Sequence, residues 1–181
     1  MDKRHNPSSP RKGHPIMFGS PKLTDHFNEF PEGGGYPLKF VEWVLDSWGC
    51  DDPDKVLHLC AGSMHSGTTL DIRMETGPDV LADCRNTPFK DESFEFIMVD
   101  PPYSVEYAEN LYGTGDFYPR PVQIVKEGMR LLKPGGFFGI LHTQVPVIRK
   151  PAKMVNVYGV TFGMGYAIRA WTVLTKENCL F

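Results

Sequence analysis

Five short apolar runs, each bounded by Asp, Gly or Pro, lie between residues 56 and 142 and constrain the fold of this chain most strongly. They span residues 56–60, 69–72, 80–82, 94–99 and 137–142. Runs of this length with such boundaries are typical of β-strands. Helical patterns precede the first run and the last one, so strands and helices alternate. This alternation predicts an α/β protein built on an open sheet.

Both helical patterns place apolar residues three or four positions apart. The first comprises Leu38, Val41, Leu45 and Trp48, between Pro37 and Gly49. The second comprises Val122, Val125, Met129 and Leu132, closed by Lys133-Pro134-Gly135-Gly136. Residues 155–162 and 167–175 resemble the two strands of a hairpin that turns at Gly163-Met164-Gly165. We therefore expect the sheet to end in an antiparallel edge.

The first 35 residues differ in composition from the rest. They contain five prolines, carry most of their Lys and Arg residues before Gly13, and end in Gly33-Gly34-Gly35. This composition is typical of a segment with little structure of its own. The whole chain of 181 residues has the length of a single domain. We expect a basic arm or linker at 1–35 and one folded domain at 36–181.

Composition narrows the class of protein. Apolar residues make up 41% and charged residues 23%, which excludes a disordered, collagen-like or coiled-coil chain. No run approaches the roughly 20 apolar residues of a membrane helix, and the polar N-terminus does not resemble a secretory signal. No C-x-x-C pair occurs, so neither a disulfide framework nor a metal site is predicted for Cys50, Cys60, Cys84 and Cys179. We expect a reduced, cytoplasmic protein.

The net charge of −3 conceals an uneven distribution. Residues 1–22 carry five bases against one acid, residues 23–117 carry five against nineteen, and residues 118–181 carry nine against two. A basic C-terminal third beside an acidic middle either holds a polyanion on one side of a site or is scattered as solvated surface charge. Both interpretations stay open from the sequence.

The tetrapeptide Asp100-Pro101-Pro102-Tyr103 directly follows the strand predicted at 94–99. The two prolines fix φ and have no N–H, so they form a stiff turn that leaves the Asp100 carboxylate and a backbone carbonyl as acceptors. An exocyclic amine on a purine or pyrimidine presents two N–H donors beside a flat ring. Asp100 and Pro101 are suited to accept both, while Tyr103 stacks on the ring. Such bonds would draw the nitrogen toward tetrahedral geometry and free its lone pair to attack.

Further signals follow the neighbouring predicted strands. The small residues of Cys60-Ala61-Gly62-Ser63 let the backbone approach a ligand closely. Asp71 and Asp83 end the next two strands, where open α/β sheets bind ligands and carboxylates accept bonds from ribose hydroxyls. Acids at strand ends also serve as turn formers and helix caps.

These residues together resemble the class I, Rossmann-like S-adenosylmethionine-dependent methyltransferases, over roughly residues 36–177. Asp100-Pro101-Pro102-Tyr103 is similar to the DPPY motif of their amino-methylating branch, which includes DNA adenine-N6, DNA cytosine-N4 and some RNA guanine-N2 enzymes. Residues 88–95 and 131–136 resemble stretches of small-molecule methyltransferases of the same fold. The resemblance implies a doubly wound sheet of the seven-strand methyltransferase type, S-adenosylmethionine as cofactor and nucleic acid as partner, DNA before RNA.

The resemblance also implies a role for each matching residue. Asp100, Pro101, Pro102 and Tyr103 take the catalytic positions. The loop around the cofactor is matched by Cys60, Ala61, Gly62 and Ser63. Asp71 takes the acid that bonds the ribose, and Asp83, followed by Cys84, takes the acid beside the adenine ring. Tyr36-Pro37-Leu38 resembles the motif that closes over the methionine end of the cofactor. Asp100 also takes a cofactor-binding position.

Two features depart from the family pattern. The stretches between the first strand and Asp71, and between residues 73 and 78, are too short for the roughly 10–12 residues of a crossover helix, so we expect abbreviated helices on the cofactor side. No segment matches a target-recognition domain that reads the major groove. This implies modest specificity, a flipped or single-stranded base, or a separate recognition partner.

The function expected from these features is in-line methyl transfer to an exocyclic amino nitrogen, with adenine N6 in DNA as the first candidate. RNA, protein-amide and small-molecule methyltransferases stay open as alternatives. A non-catalytic methyltransferase-like binding subunit is a further alternative, which the shortened cofactor side favours. The intact Asp100 and Tyr103 favour an enzyme.

Weaker candidates surround the tetrapeptide. Residues 103–121 are interpreted as a loop with glycine hinges, whose rings either stack on a base or pack into the core: Tyr107, Tyr112, Phe117 and Tyr118. His142 ends a predicted strand on the same edge as Asp100, as a substrate contact or, more often in such places, a structural histidine. Several basic side chains either bind phosphates or are solvated surface charges: Arg149, Lys150, Lys153 and the Lys and Arg residues of the arm at 1–35.

Overall fold

The structure, a computed structural model, describes residues 36–161 and 167–177. The predicted arm at 1–35 and the turn Gly163-Met164-Gly165 lie outside the described residues. These residues form a seven-stranded sheet in the order β3-β2-β1-β4-β5-β7-β6. The strands are β1 (Val56–Leu59), β2 (Thr68–Asp71), β3 (Val80–Leu81), β4 (Phe94–Val99), β5 (Leu132–His142), β6 (Ala152–Val160) and β7 (Arg169–Lys176). The described helices are α1 (Leu38–Trp48), α2 (Val105–Tyr112) and α3 (Pro121–Leu131).

Strand directions confirm the predicted mostly parallel sheet with an antiparallel edge. Strands β1 to β5 run parallel, and β7 lies antiparallel between β5 and β6. Two strand starts, those of β5 and β6, differ from the prediction by more than two residues. The second helix ends at Leu131 and β5 begins at Leu132, because Leu132 pairs with Phe94 ahead of a bulge. Strand β6 starts at Ala152 rather than at 155, because Ala152 pairs with Lys176.

Helix α1 covers one face of the sheet, as its apolar spacing predicts. Its side chains at Phe40, Val44 and Trp48 are buried against Trp171 of β7 and its neighbours. The Trp48 ring stacks on the rings of Phe96 and Phe137 at 6.0 and 5.9 Å between centroids. Gly49 ends the helix in the left-handed conformation (φ 69°), which glycine adopts without steric cost. Because Phe96 pairs with Val56, the first residue of β1, the end of the helix lies near the amino ends of the parallel strands.

Helix α3 covers the opposite face, so the sheet is doubly wound. Ile124, Val125 and Met129 of this helix are buried against β4 and β5. Gly128 lies directly on the Phe138 ring, where a Cβ atom would overlap it. This glycine allows the helix to approach the sheet closely.

The connections on the β2–β3 side are short, as the sequence predicts. Residues 60–67 join β1 to β2 without a helix, and residues 72–79 contain only the 3₁₀ turn Met74–Thr76. Ala61 and Met64 of the first connection fill part of the space that a crossover helix would occupy on the α1 face. His58 of β1 is buried there, and burial lowers its pKa to about 4, so its ring is neutral.

The β3–β4 connection is fastened to α3 by one buried carboxylate. Glu127 Oε1 accepts hydrogen bonds from the N–H and hydroxyl of Thr87, both at 2.8 Å. Arg130 donates to both Glu127 oxygens and to Asp91, and its Nη1 also donates to the Phe89 carbonyl at 2.8 Å. The stretch that carries Asp83 is thus held against the helix layer.

The interpretation of residues 103–121 as a loop is wrong. Ser104 accepts a hydrogen bond from the Tyr107 N–H at 3.0 Å and caps the start of α2, and Gly113 ends this helix in the left-handed conformation. Both are ordinary helix-boundary residues, but the glycines and aromatic rings of this segment concealed its helical character. Within the described residues, no helix is long and apolar enough to cross a membrane.

Candidate functional site

A cavity of about 200 Å³ opens at the carboxyl edge of the parallel strands. From β1 the chain continues to β2 on one side of the cavity, and from β4 it continues to β5 on the other side. The cavity therefore lies at the point where the strand order reverses, and open α/β sheets bind ligands at this switch point. Its lining includes nine residues predicted for the site: Cys60, Gly62, Asp71, Asp83, Cys84, Asp100, Pro101, Pro102 and Tyr103. The predicted residues Tyr36, Pro37, Ala61 and Ser63 are not part of this lining.

The turn after β1 bends sharply at two left-handed residues. Cys60 has a φ of 54° and Gly62 a φ of 58°. The Gly62 N–H donates to Asp71 Oδ2 at 2.9 Å, so the acid at the end of β2 holds the turn in place. A residue other than glycine in this region of φ is strained, which makes Cys60 an unusual feature of the turn.

Asp71 is buried and is also held by Arg73. The N–H of Arg73 donates to Asp71 Oδ1 at 2.9 Å, and its Nε donates to the same oxygen at 3.2 Å. The Arg73 Nη2 donates to Oδ2 at 3.4 Å, and its guanidinium lies 4.5 Å from the centre of the Tyr112 ring of α2. Both oxygens of this carboxylate therefore have protein partners.

Asp83 is held in the same way by Arg85. Its Oδ1 accepts from the Arg85 N–H at 2.8 Å, and both oxygens accept from the guanidinium. Partial burial raises the pKa of Asp83, but the hydrogen bonds and charge of Arg85 outweigh it, and the pKa falls below its usual value. Neither arginine was predicted for the site from the sequence, although each stands two residues after its aspartate, at 71–73 and 83–85.

Asp100 and Tyr103 contact each other across the Pro-Pro turn. The Tyr103 hydroxyl donates to Asp100 Oδ1 at 2.8 Å. Burial raises the pKa of Asp100 to about 6, although the Tyr103 hydrogen bond and the Arg169 charge both lower it. Asp100 is therefore an ionised acceptor at neutral pH and loses its charge just below it. Burial also raises the pKa of Tyr103, which keeps its hydroxyl protonated.

The Tyr103 ring is surrounded by charged and aromatic groups. The guanidinium of Arg169, the first residue of β7, lies 4.9 Å from its centre. The ring of His142 meets it edge to face at 5.5 Å, and the Tyr107 ring lies 5.8 Å away. The Tyr118 hydroxyl donates to the Tyr103 carbonyl at 3.3 Å. Sequence reasoning missed Arg169, because it comes from a strand 66 positions after Tyr103.

His142 ends β5 on the same edge as Asp100, as predicted. Its Nδ1 accepts from the Gln144 N–H at 3.1 Å, and burial lowers its pKa. It is therefore a neutral ring that packs against Tyr103 and stands outside the cavity lining.

Tyr36 brings an orphaned polar atom close to the site. Its ring is buried against Phe40 and Trp171. Its hydroxyl has no hydrogen-bond partner among the described residues. Burial raises the pKa of this hydroxyl, and the nearby Asp100 carboxylate raises it further. The hydroxyl therefore lies within the electrostatic influence of Asp100, and an incoming polar group could satisfy it.

The remaining predicted aromatic residues form the rim of the cavity rather than a core. Tyr107 and Phe117 are 44% and 52% exposed and, with Tyr112, line the opening. Tyr118 is the exception: it is half-buried, and its hydroxyl donates to the Tyr103 carbonyl.

The predicted phosphate-binding bases of the C-terminal third lie far from the cavity. Lys153 of β6 pairs with Thr175 of β7, and Thr175 pairs with Phe137 of β5. Phe137 in turn pairs with Phe96, which lies beside Val56 at the amino end of β1. Arg149 and Lys150 precede it in the turn that leads into β6. All three are exposed at the edge opposite Asp100, so the uneven charge of the sequence does not place these three bases beside the site.

No family model matches the chain, and no curated protein matches it in sequence. Among solved structures it is similar to the PH0226 protein from Pyrococcus horikoshii OT3, with a TM-score of 0.52 and 14% identity over 77% of this chain and 90% of that one. It is also similar to a SAM-dependent methyltransferase from Aquifex aeolicus (TM-score 0.47, 15% identity, 73% and 88% covered). A third is 1,6-didemethyltoxoflavin-N1-methyltransferase from Burkholderia thailandensis, solved with bound 1,6-didemethyltoxoflavin and S-adenosylhomocysteine (TM-score 0.43, 12% identity, 78% and 87% covered).

The similarity to PH0226 spans most of both chains and concerns the fold. Together with the strand order and the antiparallel β5–β7–β6 end, it confirms the predicted α/β fold, a Rossmann-like, mostly parallel sheet of seven strands with an antiparallel C-terminal hairpin.

Proposed function

We propose that this protein is an S-adenosylmethionine-dependent methyltransferase that methylates an exocyclic amino nitrogen of a nucleic-acid base, with adenine N6 in DNA as the preferred substrate. One observation carries the proposal: the Asp100-Pro101-Pro102-Tyr103 turn ends β4 at the switch point and lines the cavity with its carboxylate and its aromatic ring. The same cavity is lined by the Gly62 turn after β1, by Asp71 at the end of β2 and by Asp83 after β3.

The residues present fit the cofactor. S-adenosylmethionine supplies an electrophilic methyl group on a sulfonium centre. The turn at Gly62 admits a close approach of backbone to ligand, Asp83 lies where the adenine ring is expected, and the orphaned Tyr36 hydroxyl needs a polar partner. Asp71 fixes the turn, and a ribose hydroxyl would take the place of the Arg73 guanidinium at its carboxylate.

The Pro-Pro turn performs the chemistry by accepting and positioning. Asp100 and the Pro101 carbonyl accept the two N–H groups of the amine, which directs its lone pair away from the ring. The Tyr103 hydroxyl holds Asp100 in place, and its ring contacts the base. The amine proton becomes acidic only after transfer, so a strong base is not required.

A small-molecule aromatic amine is the second candidate substrate. Arg149, Lys150 and Lys153 lie at the opposite edge of the sheet. The helix at the cavity rim instead exposes Glu106 and Glu109. A rim of this charge repels phosphates, which favours a compact substrate over a long polyanion.

The test is methyl transfer from radiolabelled S-adenosylmethionine to duplex DNA, single-stranded DNA, RNA and free adenosine, each compared with Asp100→Ala. Calorimetry with S-adenosylhomocysteine runs in parallel. Asp46→Ala, a matched substitution at an exposed position of α1, is the control. We expect label on DNA in the wild type and in the control, and its loss in Asp100→Ala with cofactor binding retained.

Label on free adenosine alone would support the second candidate. Cofactor binding without label on any acceptor, or full turnover by Asp100→Ala, would contradict the proposed chemistry. If calorimetry detects no binding of S-adenosylhomocysteine to the wild type, the result would favour a non-catalytic binding subunit with a methyltransferase-like fold.

A further inference from the structure

Two thiols meet inside the cavity although 24 positions separate them in the chain. The Sγ atoms of Cys60 and Cys84 lie 3.5 Å apart. Both residues line the cavity, and Cys84 is only 5% exposed. Cys60 belongs to the turn after β1, and Cys84 directly follows Asp83 after β3. The fold thus brings together two cysteines that show no pairing pattern in sequence.

We propose that Cys60 and Cys84 form a reversible disulfide that closes the cofactor cavity to its ligand. A disulfide has an S–S length of about 2.05 Å, so each sulfur would move by roughly 0.7 Å. A movement of this size lies within side-chain rotation. With hydrogen peroxide as oxidant, two S–H bonds and the O–O bond break, one S–S bond and two O–H bonds form, and the peroxide leaves as two water molecules.

The position of the bond explains its effect on binding. It would join the Gly62 turn to the residue after Asp83, two parts of the lining that approach the ligand from different strands. Gly62 is already held by Asp71, and Asp83 by Arg85, so neither side can move away freely to accommodate a ligand. The effect on cofactor binding rests on the proposed function, whereas formation of the bond does not.

The surroundings of Cys60 determine how fast the bond forms. The Cys84 thiol, burial and the charges of Asp71 and Asp100 all raise the pKa of the Cys60 thiol. Because the thiolate is the reactive form, oxidation is expected to be slow at neutral pH and faster in alkaline buffer. A bound ligand that contacts both sulfurs would also protect them.

The experiment uses the full chain in a Cys50→Ser/Cys179→Ser background, in which Cys60 and Cys84 are the cysteines that remain. Cys50 lies outside the cavity lining, where its Sγ donates to the Asp52 carbonyl at 3.2 Å, a bond that serine can retain. The protein is treated with hydrogen peroxide in mildly alkaline buffer, with and without S-adenosylhomocysteine. Intact mass, alkylation of free thiols and calorimetric affinity are measured before and after dithiothreitol.

We expect the mass to fall by two hydrogen atoms and both thiols to resist alkylation, with full reversal by dithiothreitol. The affinity for S-adenosylhomocysteine should fall by at least about tenfold on oxidation, and bound ligand should slow oxidation, as linkage requires. For Cys84→Ser, which cannot form the disulfide, the affinity for S-adenosylhomocysteine should be the same before and after the peroxide treatment.

Addition of oxygen without loss of hydrogen, or a disulfide that leaves affinity unchanged, would overturn the proposal. If the reduced protein does not bind S-adenosylhomocysteine, that result would count against the proposed function. The mass measurement would still decide whether the Cys60–Cys84 disulfide forms.

Discussion

At the scale of single residues, the site is built from acids whose environments differ. Asp71 and Asp83 are each paired with the arginine two positions further on. Asp100 instead sits in the cavity with one hydrogen bond from Tyr103, and burial raises its pKa to about 6. Two of the acids are thus structural anchors, and the third, Asp100, is the one whose pKa is raised toward neutral pH. Such a perturbed carboxylate is typical of functional sites.

The raised pKa of Asp100 gives a pH-dependent cost to the folded state. Between about 4 and 6 the folded form binds more protons than the unfolded form, so stability falls as pH rises through that range. Asp100→Asn removes this cost and keeps an oxygen that accepts from Tyr103. We expect the variant to exceed the wild type by up to about 3 kcal/mol in free energy of unfolding above about pH 7, and to match it near pH 4.

Chemical denaturation over a pH series measures this difference. Asp46→Asn on the exposed surface of α1 is the matched control and should follow the wild type at every pH. A constant difference between Asp100→Asn and the wild type across the series would contradict the raised pKa.

At the scale of elements, loops that carry site residues are held by the helix layer. The β3–β4 connection, which carries Asp83 and Cys84, is fixed to α3 by Glu127. Burial raises the pKa of Glu127, but hydrogen bonds from Arg130 and Thr87 outweigh it, and the pKa is lowered. This attachment therefore stabilises the fold above the usual pKa of a glutamate and weakens as the pH falls below it.

Removal of the Glu127 carboxylate should loosen this connection. Glu127→Ala leaves the N–H and hydroxyl of Thr87 without their acceptor and Arg130 without its main partner, so we expect a loss of about 3 kcal/mol in free energy of unfolding. Urea titration measures it. Glu42→Ala, at an exposed position of α1, should change stability by less than about 0.5 kcal/mol. Equal effects of the two substitutions would show that Glu127 is not an anchor.

At the scale of the whole molecule, the direction of each strand decides which charges meet the ligand. The parallel strands bring Cys60, Asp71, Asp83 and Asp100 to one edge of the sheet. The antiparallel β6 and β7 place Arg169 at that edge and Lys153 at the opposite one. Charges that are neighbours in a sequence block are therefore separated by the length of the sheet.

This separation predicts that the exposed bases after β5 do not contact the acceptor. The triple variant Arg149→Gln/Lys150→Gln/Lys153→Gln should retain the wild-type KM for the acceptor and the same dependence of KM on salt, because these side chains lie opposite the cavity. Steady-state transfer at several salt concentrations measures both. A rise of more than about tenfold in KM would place the acceptor across both edges.

The sequence by itself determined the strands, helices α1 and α3, the aspartates that line the cavity and the Pro-Pro turn, because these depend on local periodicity and on residues at the ends of single strands. It also predicted the short β1–β2 connection, since chain length alone excludes a crossover helix there. Helix α2 was missed because glycine and aromatic residues outweighed the capping signals of Ser104 and Gly113.

Only the tertiary structure decided which distant groups share the cavity. Arg169 reaches Tyr103 and Cys84 reaches Cys60 because strands distant in sequence begin or end at the same edge. The pKa of Asp100 likewise depends on burial by the surrounding fold. Contacts of this kind are set by strand order and direction, which arise from packing of the whole sheet, whereas local patterns specify only the strands themselves.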